Sequence, residues 1–286
     1  MKATARLAAL LLERLNIEGK PELPVVAAAL GLRLREVEST GFEGALVCGK
    51  DARKGVVAVK ASIAECTRKR FTIAHEIGHY VIPSHRNLEN VCTADDVESW
   101  DKRLNPAEIE ANEFAAELLL PEKSMRRSLC LADPSLRGVS NVAEQFETSL
   151  TATTRRFIDL TDLPCVMVWS TNRKAVWYHR SEAFPFYLTL QDIPHDASFA
   201  GRLFAGKSAP DDMSPVDPDR WLDRHNASKV GLLLEQSIFF RNYNSVLTLL
   251  YVADAAEPLG TYEDAEPLLE ELNPEEFTLR RKKWPR

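Results

Sequence analysis

Apolar residues recur at helical spacing through residues 3–17 and 22–31, so the chain opens with two short helices, with Pro21 and Pro24 between or opening them. The texture then changes. Leu32-Arg33-Leu34-Arg35-Glu36-Val37 alternates, Ala45-Leu46-Val47-Cys48 is compact and apolar, and Val56-Val57-Ala58-Val59 is β-branched. With Gly49-Lys50-Asp51 as a turn, this predicts a small, largely antiparallel sheet containing a hairpin. A helical region follows over 62–82, closed by Pro83, and a polar stretch runs to Asn105. The next helix opens at Pro106 and stops before Pro121. Short helices then fill 122–162, including Asn141–Thr148 and Leu150–Leu160. Beyond Leu163-Pro164 the runs Cys165–Trp169, Ala175–His179, Phe186–Leu190, Leu232–Phe240 and Val246–Val252 read as strands, with a helix among them near 216–224.

That change of texture predicts two units in an α+β chain, 1–162 and 163–286. The length of 286 residues suits one or two domains. The net charge of −6 gives no global reason to expect nucleic acid as a partner. The basic run Arg280-Arg281-Lys282-Lys283 reads as a solvated tail. The apolar run Leu7–Leu12 is short and followed by Glu13 and Arg14, which fits an amphipathic helix better than a signal peptide. No stretch has the length of a membrane span. Five cysteines without C-x-x-C spacing fit reduced thiols, most of them small core residues, in a cytoplasmic protein.

The chemistry begins at His75-Glu76-Ile77-Gly78-His79. Two histidines four apart lie about 40° from each other around a helix, so both imidazoles reach one ion. Glu76 lies beside them and is placed to take a proton from water. Thr72, His75, Glu76 and His79 form a narrow polar strip on a helix that is apolar elsewhere. The competing reading is the solvated face of an amphipathic helix.

A third ligand is sought on the helix that follows Pro106. On a helical wheel Glu113, Glu117 and Glu110 fall at about 140°, 180° and 200° from Glu108, an ordinary solvated stripe. Glu108 and Asn112 instead sit in the apolar arc of Phe114, Leu118, Ala111, Ala115 and Leu119. A buried acid calls for a partner, and a metal is one. Asn112 is placed to orient a ligand imidazole. Alternatively Glu108 closes a capping box opened by Asn105. Glu110 is the fallback ligand.

Arg70-Phe71-Thr72-Ile73-Ala74-His75-Glu76-Ile77-Gly78-His79, followed by Glu108-x-x-Ala111-Asn112-x-Phe114-Ala115-Ala116-Glu117-Leu118-Leu119-Leu120-Pro121, closely resembles the ImmA/IrrE family of metallopeptidases. The likeness runs from the N-terminal helices and the Gly44-Ala45-Leu46 strand to about residue 162. It implies a zincin-like mini-peptidase domain over 1–162, with a helix-turn-helix-like segment at 139–162. The C-terminal α+β domain over 163–286 would be sensory or regulatory. It implies Zn²⁺, with Mn²⁺ or another divalent ion as an alternative in vitro, held by His75, His79 and Glu108. Glu76 would be the catalytic base and Asn112 the support behind a ligand. The implied substrate is a helix-turn-helix repressor, cut to induce a stress, DNA-damage or mobile-element response. Tyr80 and His85 lie near the site in sequence without an assigned role. The strand at Gly55–Lys60 is a candidate edge for strand addition by substrate, with a plain sheet edge as the alternative.

Two other readings compete. In a DNA-binding regulator, Asn141–Leu160 would form helix-turn-helix, with Val142, Phe146, Leu150 and Phe157 as core and Arg155 and Arg156 meeting phosphate. Glu147 in the tight turn and the negative charge disfavour it. In a ligand-sensing protein the metal site would be structural, which leaves Glu76 without a purpose. Cys92 reads as an ordinary thiol.

Overall fold

In a computed structural model the chain is described over residues 2–49, 54–85, 91–92, 105–129, 134–188 and 198–255. The basic run at 280–283 and Cys130 lie outside these. Helices α1 (Ala3–Arg14) and α2 (Leu23–Ala29) come first. Pro24 sits in the first turn of α2, where its missing N–H breaks no helical bond.

Strands β1 (Leu32–Val37), β2 (Gly44–Cys48), β3 (Gly55–Lys60) and β4 (Val91–Cys92) form a sheet in the order β1-β3-β2-β4. β2 pairs antiparallel with β3 and β4, whereas β1 and β3 run parallel. β3 is therefore flanked on both sides, which corrects the expectation that Gly55–Lys60 offers an edge. Among the described residues, the outer side of β2 is unpaired beyond Ala45, where its register with β4 ends.

Val57 and Val59 of β3 face inward with Leu32. They meet α3 (Cys66–Val81), whose Ala74 and Ile77 share one core with Phe114 and Leu118 of α4 (Pro106–Leu119). The two helices approach closely at Gly78. A Cβ there would lie 3.1 Å from Phe114 Cδ1 and 3.3 Å from the Ala111 carbonyl.

Three further helices follow: α5 (Glu122–Ser128), α6 (Leu136–Phe146) and α7 (Leu150–Leu160). The α6–α7 turn places Glu147 in the left-handed region, φ 51° and ψ 51°. Its carboxylate pairs with Lys20 at 2.8 Å and Arg70 at 3.4 Å, which anchors the strained turn to the first half of the chain. Ser149 caps α7 by accepting from Ala152 N. Val142, Phe146 and Phe157 pack in one core with Cys165, Met167, Leu247 and Leu249 of a second sheet, and Leu150 lies at its margin. Along α7 only Asp159 is exposed.

The second sheet holds β5 (Cys165–Thr171), β6 (Lys174–Arg180), β7 (Ser214–Val216), β8 (Val230–Phe240) and β9 (Ser245–Ala255). They run antiparallel in the order β6-β5-β9-β8-β7. Two expectations change here. Residues 186–188 join no sheet, although Phe184, Phe186 and Leu188 alternate inward and pack on the core as a strand would. Pro185 has no N–H to give a ladder. Residues 189–190 lie outside the described chain. The helix expected near 216–224 is a 3₁₀ turn at Pro218–Arg220 and a short helix at Arg224–Ala227, capped by Asp217 and Asp223. The cysteine expectation also shifts. Cys165 is in the core, while Cys48, at the end of β2, and Cys66, at the start of α3, are exposed. No helix among the described residues is long and apolar enough to cross a membrane.

Candidate metal centre

The i, i+4 spacing places His75 and His79 on one face of α3, both buried. Their Nε2 atoms lie 3.0 Å apart. Glu108, in the first turn of α4, brings Oε2 to 3.0 Å from His75 Nε2 and 3.4 Å from His79 Nε2. Burial works to raise the Glu108 pKa, but the hydrogen bonds and charges of the two histidines outweigh it and hold the carboxyl well below the usual carboxylate range. His75 Nδ1 meets Asn112 Oδ1 at 2.8 Å. An Nδ1–H donating there turns the Nε2 of His75 toward His79 and Glu108. Two ring nitrogens and a carboxylate oxygen converging in a buried site are reconciled by a cation, and this group could hold a metal ion.

Glu108 and Asn112, which share the apolar arc of the wheel, thus lie beside the two histidines. The capping alternative is half realised: Asn105 accepts from Ala107 N, but the Glu108 carboxylate turns to the imidazoles. Glu110 is not at the cluster. It takes up His85, Nε2 to Oε2 at 2.9 Å. The buried ring of His85 lies 4.9 Å from that of His79, tilted by 44°. Burial pushes the His85 pKa down, with Glu110 working against it. Tyr80 points away, its hydroxyl donating to the Leu30 carbonyl at 3.2 Å. Thr72, expected on the polar strip, donates to the Arg68 carbonyl instead.

The solvated stripe expected for the remaining glutamates is corrected. Glu113 pairs with Lys2 and accepts from Thr4. Glu117 is 2% exposed and pairs with Arg156 of α7, whose Nε also donates to the Leu120 carbonyl. Burial raises the Glu117 pKa against the pull of Arg156. Arg156 is therefore engaged within the fold rather than presented to a phosphate.

Glu76 is fully buried between the histidine face and β2. Gly44, which belongs to neither ligand motif, sets the space around that carboxylate. A Cβ on Gly44 would come within 2.5 Å of Glu76 Oε1 and 2.6 Å of Thr72 Cγ2.

Residues 27–157 match a peptidase-family model described as IrrE N-terminal-like domain. No curated protein matches the chain. Among solved structures, a Mycobacterium tuberculosis transcriptional regulator is similar at 13% identity, with a TM-score of 0.52, over 88% of this chain and 77% of that one. At that identity the likeness is one of fold.

Proposed function

We propose, from the match of residues 27–157 to the IrrE N-terminal-like domain, that the chain is a member of the ImmA/IrrE family and a zinc-dependent endopeptidase cleaving a helix-turn-helix transcriptional repressor. Such a cut would induce a stress, DNA-damage or mobile-element response. The observation that carries the reading is the triangle of His75 Nε2, His79 Nε2 and Glu108 Oε2, with edges of 3.0, 3.0 and 3.4 Å. A tetrahedral zinc with ligands at about 2.0–2.2 Å would require edges of about 3.3–3.6 Å, so these donors fit after small adjustment. Three protein ligands leave one position open, as a hydrolytic site needs.

When bound, the ion supplies Lewis-acid polarisation of the scissile carbonyl and makes an attacking water more acidic. The rest falls to the chain. Asn112 holds the His75 ring by its far nitrogen and so fixes the direction of the near one. Glu76 takes the proton of the attacking water and later delivers it to the leaving amine nitrogen. Gly44 leaves the Glu76 carboxylate its space beside the backbone of β2.

The decisive experiment uses Glu76→Gln, with the helix-turn-helix repressor encoded beside the gene as substrate. Wild-type protein cleaves it, and the variant keeps its zinc and loses cleavage. Equal cleavage by both sinks the reading.

A further inference from the structure

Among the described residues a cleft of about 460 Å³ lies away from the metal ligands, where the first half of the chain meets the second sheet. Its origin is legible in the strands. Cys165 and Met167 of β5 lie with α6 and α7 in one core, whereas Trp169, the next residue on that face, is only partly covered. Trp177 of β6 stands opposite Trp169 in register, and their rings are nearly parallel, 14° apart with centroids at 6.3 Å. Phe240 closes on Trp169 at 5.4 Å. Phe71 of α3 and Leu119 at the end of α4 add apolar surface. Part-covered tryptophans leave a large apolar area in water, which a flat partner would cover.

The charges around this aromatic surface are already matched within the fold. Arg68 forks onto Glu43, with Nη2 at 2.8 Å from Oε1 and Nε at 2.9 Å from Oε2. Arg156 pairs with the buried Glu117 and donates to the Leu120 carbonyl. Burial lowers the Arg155 pKa, with the carboxylates of Asp159 and Glu113 working against it, so this cation too has its counter-charges. Of the acids on the cleft, Asp159 meets His179 at 2.6 Å and Glu65 accepts from Tyr243 at 3.4 Å. An ion of either sign would shed its water here and find the groups of opposite charge engaged. A neutral molecule escapes that penalty. What the lining offers it is flat apolar surface, with hydroxyls on Thr67 and Thr151.

We propose that this cleft binds a small, uncharged, planar aromatic molecule, its ring lying on the Trp169–Trp177 surface and a neutral polar substituent, such as an amide, reaching the threonine hydroxyls. A volume of about 460 Å³, lined by aromatic and apolar side chains with a few polar groups, suits a ligand of that class. The surface is also held ready. Pairing of β5 with β6 fixes both tryptophans side by side, so stacking demands little further ordering. The lining comes from α3 and α7 in the first half of the chain and from β5 and β6 in the second, so a bound molecule bridges the two. None of His75, His79 and Glu108 lines the cleft, and the site stands independently of the peptidase reading.

The test is calorimetric titration of the full chain with 2-naphthamide. Three counterparts are titrated beside it: the anion 2-naphthoate, the cation 2-naphthylmethylammonium, and the saturated decahydronaphthalene-2-carboxamide. The naphthamide should bind at about 100 µM or tighter. Each ion keeps the ring and adds charge, and should bind about tenfold more weakly. The saturated amide keeps the polar group and loses the flat face, and should weaken by about the same factor. Trp177→Ala should weaken the naphthamide about tenfold, whereas Trp177→Phe, which keeps a stacking surface, should stay within about threefold of wild type. The second variant separates lost stacking from a disturbed sheet. Millimolar or absent binding of the naphthamide, as when other residues of the chain or a second copy fill the cleft, overturns the site. So does an ion or the saturated amide binding as tightly as the naphthamide, undiminished binding by Trp177→Ala, or equal losses in both tryptophan variants.

Discussion

Gly44 lies directly against the carboxylate of Glu76, with no room between them for a methyl group: its Cβ would stand 2.5 Å from Oε1. The same Cβ would stand 2.6 Å from Thr72 Cγ2, so Gly44→Ala has to displace both side chains, and it should move the Glu76 carboxylate while leaving His75, His79 and Glu108 in place to bind zinc. A displacement near 1 Å at a reacting group costs roughly a hundredfold in rate. Measured kcat on the repressor should fall by about that factor with zinc content unchanged.

Asn112 acts through His75. Asn112→Ala removes the acceptor at 2.8 Å from Nδ1 and frees the ring to turn. Zinc affinity, read by competition with a chelator, should fall about 10- to 100-fold. An affinity equal to wild type would mean that packing alone holds the ring.

Glu108 and Glu110 share a helix but have different partners, two imidazoles of the cluster for the first and His85 for the second. Glu108→Ala should purify with little zinc, and Glu110→Ala with nearly its full complement. Metal analysis of the two proteins separates these outcomes, and loss confined to Glu110→Ala would reverse the assignment.

The buried pair of Arg156 and Glu117 ties α7 to α4. Arg156→Ala strands a carboxylate that is 2% exposed, at a cost of about 3–5 kcal/mol in denaturant unfolding. The double replacement Glu117→Leu with Arg156→Met should recover most of that, since both charges leave together.

Why one acid was legible and another was not follows from what a helical wheel contains. It gives angles around one helix, which sufficed for Glu108, because the apolar arc there is written into α4 itself. It does not say what covers the opposite side. Glu117 looked solvated because Arg156 comes from 39 residues further along the chain. Gly44 was invisible for a related reason: its partner Glu76 is brought to it only when β2 crosses α3. Likewise, the alternation in β1 and β3 announced strands but not their order, and a parallel β1–β3 pair put the supposed edge in the middle of the sheet. The histidines were readable because helix geometry alone joins them.

Glu235 supplies a pH dependence away from the metal centre. It is fully buried and accepts from Ala200 N, Trp221 Nε1 and Ser237 Oγ, yet burial outweighs these bonds and raises its pKa. In the window between the unfolded carboxylate value and this raised one, the folded state holds more proton than the unfolded state. Its contribution is then full below the unfolded value and is lost as pH rises through the folded one. Measured against a non-titrating Glu235→Gln variant, wild-type stability should improve as pH is lowered from neutrality into that window. A flat difference across the range would show that Glu235 keeps the same pKa on unfolding.

At Gly78 the backbone of α3 comes so near α4 that a single added carbon would touch Phe114 and the Ala111 carbonyl. Two of the cluster's donors ride on one helix and the third on the other, so the pair works as a calliper around any ion that the cluster holds. A side chain at 78, or anything that wedges the two shafts apart at a distance, is thereby converted into a change in how tightly an ion is held.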